Sequence, residues 1–269
     1  MLLNALVITG HGINCEIETR QALEIAGFKK IDLVHLNFIV GGEVDLRSYQ
    51  FIVFPGGFLD GDDLGAAQAC ANRIRHSKLE GRYLIDDLLE FVSRGGLILG
   101  ICNGFQLLAR LGLAPAFNGA YLQRDVSLTG NESGRFEDRW VNLVVDRDSP
   151  CVFTRDLDKL YLPVRHGEGK VVGRDPGVID MLIDSHQAVL FYAKPEDAAP
   201  TMNYPFNPNG SSRGIAGICD PSGRIFGLMP HPECYLDRTN HPRWTREQLP
   251  DEGIGLKIFS NAKRYIVGS

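Results

Sequence analysis

Apolar residues along this chain fall into two alternating textures, short unbroken runs and longer stretches where they recur every three or four positions. Leu3 to Thr9 is a run closed by Gly10 and Gly12, and from Glu16 to Ala26 the residues Ile17, Ala22, Leu23 and Ile25 keep helical spacing before Gly27. Strand, loop and helix are predicted in that order. Lys30 to Leu36 and Phe51 to Phe54 read as further strands, the second ending in Pro55-Gly56-Gly57. A helix is predicted from about Leu64 to Ile74, a polar interruption from His76 to Arg82, and a second helix from Leu84 to Arg94. Leu97 to Ile101, the most apolar strand of this half, runs directly into a helical stretch from Asn103 to Leu111.

Strands alternating with helices through glycine-rich joints predict a mainly parallel sheet covered on both faces, so the fold class is α/β and doubly wound. From Gly119 to Gly173 the texture changes to an antiparallel extension, clearest at Arg139 to Val145 and Leu160 to Val164. Ala188 to Tyr192, Ile215 to Cys219 and Arg224 to Met229 supply later strands, and Gly255 to Tyr265 a final helix. Repeats, low-complexity tracts and linkers are absent from the sequence, which favours a single domain over residues 1–269.

Composition narrows the function classes. A net charge of −5 argues against a surface that tracks phosphates, because nucleic-acid binding relies on clustered Lys and Arg. The N-terminal run lacks a basic flank and turns polar early, and no apolar run reaches the roughly 20 residues that span a bilayer. A cytoplasmic protein without membrane or nucleic-acid partners is expected. The cysteines at 15, 70, 102, 151, 219 and 234 form no CxxC pair, so no metal centre is expected from spacing and most should be small buried hydrophobes.

One cysteine stands apart. In GGLILGICNGFQLLARLG, Cys102 lies between a buried strand and an amphipathic helix, with Gly100 and Gly104 each two residues away. Such spacing lets the chain turn sharply and lift a nucleophile above the sheet edge, where the positive end of the helix dipole favours thiolate over thiol. The amide of Asn103 at the helix start, and Gly57 in the turn after a neighbouring strand, are candidate oxyanion donors. Cys15 also follows a strand and precedes a helix, but lacks the flanking glycines. A thiol nucleophile needs an imidazole and a third group to orient it. Two H-x-E pairs offer these, His166 with Glu168 and His231 with Glu233, and spacing alone does not choose between them, although His231 follows a buried strand where catalytic groups of open α/β sheets gather.

These residues resemble class I glutamine amidotransferases, a flavodoxin-like fold whose G-x-C-x-G-x-Q motif is matched by Gly100, Cys102, Gly104 and Gln106, and whose late H-x-E is matched by His231 and Glu233. The resemblance implies Cys102, His231 and Glu233 as a catalytic triad and Gln106 beside bound glutamine. Further segments are similar to the glutaminase subunit or domain of phosphoribosylformylglycinamidine synthase: Asn14-Cys15-Glu16, PGGFLDGDDLGAA from Pro55, SGRFEDRWVNL from Ser133, RHGEG from Arg165, NPNGS from Asn207, IAGICDPSGRIFGLMPHPE from Ile215 and the closing GIGLKIFSNAKRYI. The resemblance implies a chain without its own cofactor. It would hydrolyse glutamine and pass ammonia to a synthetase subunit that uses ATP and magnesium to convert formylglycinamide ribonucleotide to formylglycinamidine ribonucleotide in purine biosynthesis, with a small bridging subunit as a further candidate partner.

Departures from the family pattern are Gly65, where relatives often carry Arg, and Asp138, where they often carry Cys. The segment from Cys234 to Gly253, with His241-Pro242-Arg243-Trp244, is expected to be a lid or interface element. Two other readings remain at this point, a free-standing cysteine hydrolase of the γ-glutamyl peptidase kind and a non-enzymatic regulatory module.

Overall fold

The computed structural model describes residues 3–196 and 199–268. In chain order the elements are β1 (Asn4–Thr9), α1 (Glu16–Ala26), β2 (Lys30–His35), α2 (Leu36–Val40), β3 (Phe51–Phe54), α3 (Gln68–His76), β4 (Lys78–Leu79), β5 (Arg82–Tyr83), α4 (Leu84–Ser93), β6 (Leu97–Ile101) and α5 (Asn103–Leu111). Then follow β7 (Val126–Gly130), β8 (Glu137–Val145), β9 (Lys159–His166), β10 (Glu168–Gly173), α6 (Pro176–Asp184), β11 (Ala188–Ala193), β12 (Ile215–Cys219), β13 (Ile225–Leu228) and α7 (Leu256–Val267).

Nine strands make one sheet in the order β2-β1-β3-β6-β13-β12-β11-β8-β9. The half from β2 to β13 is parallel, and from β12 onward every pairing is antiparallel. The α/β class and the antiparallel extension are as the sequence predicts, with β8 and β9 continuing the same sheet and β7 pairing with β10 in a separate two-stranded sheet. Alternation divides the core. Ala5 and Val7 of β1 join α1 and α7 in one apolar cluster, while Leu6 and Ile8 join α3, α4 and most of the buried face of α5 in the other. The central strands are buried on both faces, which is why they read as continuous apolar runs.

Boundaries differ where turns compete with periodicity. The helix expected from Leu64 begins only at Gln68, because Asp60, Asp62, Gly65 and Ala67 all take positive φ and coil the preceding segment into turns. The polar interruption from His76 to Arg82 is a small hairpin, β4 with β5. Helix α6, unmarked in the sequence reading, starts where the Asp175 side chain accepts from the Val178 N–H, with Pro176 in the first turn. Among the described residues, no helix is long and apolar enough to cross a membrane.

Candidate active site

The parallel half of the sheet decides where the chemistry gathers. Strands β1, β3, β6 and β13 run in one direction, so the segments leaving their carboxyl ends, with Cys15, Gly56-Gly57, Cys102 and His231, meet over one edge. There Cys15, Gly57, Cys102 and His231 line a cavity of about 290 Å³, joined by Arg165 and Cys234. A larger cleft of about 930 Å³ lies at the opposite end of β3 and β6, near the β4–β5 hairpin. Its arginines Arg47, Arg82 and Arg94 are ion-paired to Glu90, and no cysteine or histidine lines it.

Cys102 occupies the bend between β6 and α5 with φ 51° and ψ −104°, a backbone state that costs a non-glycine residue about 1–3 kcal/mol. The bend is held by the Cys102 N–H donating to the Leu228 carbonyl at 2.8 Å and by the Gln106 N–H donating to the Cys102 carbonyl at 3.0 Å. The paired glycines are there for clearance. A β-carbon on Gly100 would lie 2.6 Å from the Gly104 carbonyl oxygen, and one on Gly104 only 1.9 Å from that of Phe54. Cys102 is 5% exposed, with its thiol directed at the Arg165 carbonyl oxygen 3.5 Å away.

His231 of the late H-x-E pair lines the same cavity as this thiol. The His231 N–H donates to the Pro163 carbonyl at 2.8 Å, and its ring Nδ1 lies 2.6 Å from Glu233 Oε1. A carboxylate partner makes Nδ1 the protonated nitrogen and leaves Nε2 as the base, which is buried and has no hydrogen-bond partner. Burial disfavours the imidazolium. The charge of the Glu233 carboxylate, with smaller contributions from Cys102 and Cys15, outweighs that, and His231 holds its proton well above the ordinary histidine range.

The competing candidates are placed apart from these roles. Cys15 Sγ lies 3.9 Å from His231 Nδ1, on the Glu233 side of the ring, and burial pushes its thiol up. His166 and Glu168 do not pair. The Glu168 carboxylate accepts from the Ala66 N–H at 3.4 Å, while His166 Nδ1 donates to Asn131 Oδ1 at 3.0 Å, an oxygen that also accepts from the Gly169 N–H. Burial, with a contribution from the His231 charge, pushes His166 down to about 3, so its ring is neutral. Asn209 donates to the Gly169 carbonyl and to the Tyr192 hydroxyl, and the Ser211 hydroxyl accepts from Val171 N–H. The RHGEG and NPNGS segments thus form a buried polar platform behind Arg165.

Of the two candidate oxyanion donors, Gly57 lines the cavity and Asn103 lies buried at the start of α5, outside the lining. Ile13 and Gly57 are a bridge pair whose connecting bonds run from the Asn14 N–H to the Gly56 carbonyl and from the Phe58 N–H to the Gly12 carbonyl, which turns the Gly57 N–H away from Ile13. Asn103 opens α5, where backbone amides lack intrahelical partners. Its side chain ties down the loop after β3, accepting from the Leu59 N–H at 3.1 Å and donating to Asp62 at 3.2 Å. Gln106 is held from both sides. Asn103 donates to its carbonyl and its amide donates to the Glu168 carbonyl, so the side chain braces α5 against β10 and does not line the cavity.

The departures have local partners. A β-carbon on Gly65 would lie 3.0 Å from the Arg110 guanidinium, which already binds the Ala66 carbonyl, and Asp138 pairs with Arg165 at 3.8 Å. The expected lid is fastened down at His241, which is buried against Trp140, Tyr161 and Tyr235 over the outer strands β8 and β9. Sequence reasoning did not find the Arg165 carbonyl, since a backbone acceptor carries no sequence signal, or the Asp62 brace, whose carboxylate meets Asn103 from 41 residues away.

The family model of the CobB/CobQ-like glutamine amidotransferase domain matches residues 3–266. The chain is 45% identical to the phosphoribosylformylglycinamidine synthase subunit PurQ of Dehalococcoides mccartyi, over 98% of this chain and 97% of that one. It is 41% identical to the PurQ of Methanococcus maripaludis strain C5, over 98% and 99%. Among solved structures, PurLQS from Thermotoga maritima has a chain 31% identical with a TM-score of 0.69, covering 99% of this chain and 100% of that one. The chain therefore belongs to the CobB/CobQ-like glutamine amidotransferase family, among its PurQ members.

Proposed function

We propose that this chain is the glutaminase subunit of a phosphoribosylformylglycinamidine synthase, with Cys102 as nucleophile, His231 as acid and base, and Glu233 orienting the imidazole. The observation that carries the reading is the buried His231–Glu233 hydrogen bond of 2.6 Å beside a cysteine held at a strained bend. His231 Nε2 takes the Cys102 proton, and the thiolate attacks the glutamine carboxamide carbon. The oxyanion is received by the N–H groups of Gly57 and Asn103, each such donor being worth about 10²–10³ in rate. His231 returns the proton to the departing nitrogen and ammonia leaves. Water, deprotonated by the same Nε2, then cleaves the γ-glutamyl thioester to glutamate and free thiol.

Ammonia released to water would be protonated and lost as a nucleophile, so the site works against a partner that receives it. That partner is a synthetase that spends ATP, with magnesium, on the formyl amide of formylglycinamide ribonucleotide, and a small bridging subunit completes the assembly. The solved relative titled PurLQS supports an assembly of this kind. The test is Cys102→Ala in the assembled enzyme. Glutamine-dependent synthesis is expected to vanish while ammonium-dependent synthesis persists, and continued use of glutamine would overturn the assignment.

A further inference from the structure

The side of the His231 ring turned away from its free nitrogen carries a second set of donors. Cys15 Sγ, His231 Nδ1 and Glu233 Oε1 lie within 4.8 Å of one another. The sulfur is 3.9 Å and the carboxylate oxygen 2.6 Å from Nδ1. Ligands sharing one tetrahedral zinc at its usual bond lengths stand about 3.3–3.8 Å apart, so small side-chain rotations suffice. A second sulfur is at hand, since Cys234 Sγ lies 3.8 Å from the same Glu233 oxygen. The other Glu233 oxygen, Oε2, is buried with no hydrogen-bond partner. Cys15, Cys234 and His231 all line the cavity, which gives an ion its way in.

We propose that Cys15, His231 Nδ1 and Glu233, with Cys234 as fourth ligand, form a site for a thiophilic divalent cation of the zinc class. Binding replaces the His231–Glu233 hydrogen bond. The thiol protons leave to solvent, the His231 proton passes from Nδ1 to Nε2 so that the neutral ring binds through Nδ1, metal–sulfur, metal–nitrogen and metal–oxygen bonds form, and no electrons are transferred. The carboxylate is then neutralised by the metal. On the mechanism proposed above, on which this consequence alone rests, the imidazole can no longer serve the thiol, so metal and turnover exclude each other reversibly.

The experiment uses the full chain stripped of metal, with zinc binding read by competition against a chromophoric chelator. One zinc per chain is expected, and it is expected to persist in Cys102→Ala. Cys15→Ser is expected to weaken binding by at least about 100-fold, since losing even an outer-shell partner costs 10–100-fold. Cobalt added to the unmutated chain is expected to show a thiolate-to-metal charge-transfer band, a readout that needs no variant to fold. Zinc binding lost in Cys102→Ala, full affinity in a folded Cys15→Ser, or no such band with cobalt would each overturn the site. Because these readouts need no turnover, they stand or fall separately from the glutaminase assignment. Inhibition of glutamine hydrolysis by zinc, reversed by a chelator, tests the consequence.

Discussion

His231 and Glu233 are bonded through Nδ1 and Oε1 at 2.6 Å with their side chains 3% and 0% exposed, and only Pro232 separates them in the chain. Both are therefore taken out of water as a preassembled unit. The second carboxylate oxygen is left without a partner, so the burial of Glu233 is offset by the histidine, helped by the weaker Cys234 thiol donating to Oε1 at 3.8 Å.

Replacing that carboxylate by an amide should expose its electrostatic part. In Glu233→Gln the packing is retained but the charge that raises the His231 proton affinity is gone, while the burial that lowers it remains. The imidazolium is then lost at lower pH. The alkaline limb of kcat/KM for glutamine should move to lower pH, with kcat reduced by about 10²–10⁴ as for other orienting carboxylates. A pH profile with an unmoved alkaline limb would contradict the role.

Gly56 tests positioning without touching a reacting group. A β-carbon there would lie 2.7 Å from His231 Cε1 and 3.4 Å from Cys15 Sγ, so Gly56→Ala must displace the imidazole. A misplacement on the order of 1 Å costs roughly 10² in rate. The expected result is a fall of that size in glutamine hydrolysis with the melting temperature nearly unchanged. Wild-type turnover in Gly56→Ala would mean that the ring tolerates the crowding.

Gly104 separates folding from chemistry in the opposite sense. Its missing β-carbon lets α5 sit against the end of β3, 1.9 Å from where the Phe54 carbonyl oxygen would meet it. Backbone cannot rotate aside as a side chain can. Gly104→Ala should lower stability by about 1–3 kcal/mol or more through forced displacement of the helix, visible in the urea midpoint. A midpoint equal to that of the unmutated chain would contradict the close approach.

Much of this was legible because the parallel half of the sheet writes itself as unbroken apolar runs. Those runs located Phe51–Phe54 and Leu97–Ile101 to the residue, and with them the bend at Cys102. The turns after Pro55 were not legible as turns, since Asp62 and Ala67 adopt positive φ under constraint from neighbours such as Asn103. The choice between the two H-x-E pairs was equally hidden in the spacing, because His166 turns to Asn131, which lies 35 residues away in the sequence. The partner of Gln106 was hidden too, because its motif position says nothing of the Glu168 carbonyl, 62 residues away, that holds it. In each case the deciding partner is distant in sequence, and pattern reading sees only neighbours.

His166 supplies the last test, of stability against pH. Its Nδ1–H is fixed on Asn131 Oδ1, because the Asn131 amide nitrogen is already committed to the Arg135 and His166 carbonyls. Burial pushes the ring down to about 3 in the folded chain, against 6.5 for a free histidine. Between those values the unfolded chain binds the extra proton, so the stabilisation is complete above pH 6.5 and is lost progressively as pH falls toward 3. His166→Asn keeps a donor near the Nδ1 position and cannot titrate. At neutral pH it should be less stable by about 1–2 kcal/mol through lost packing. As pH is lowered to about 4 that gap should close or reverse, because only the histidine chain pays the protonation penalty. Urea midpoints of both chains at the two pH values check this, and other titrating groups cancel in the difference. A gap independent of pH would show that the His166 ring is not held neutral.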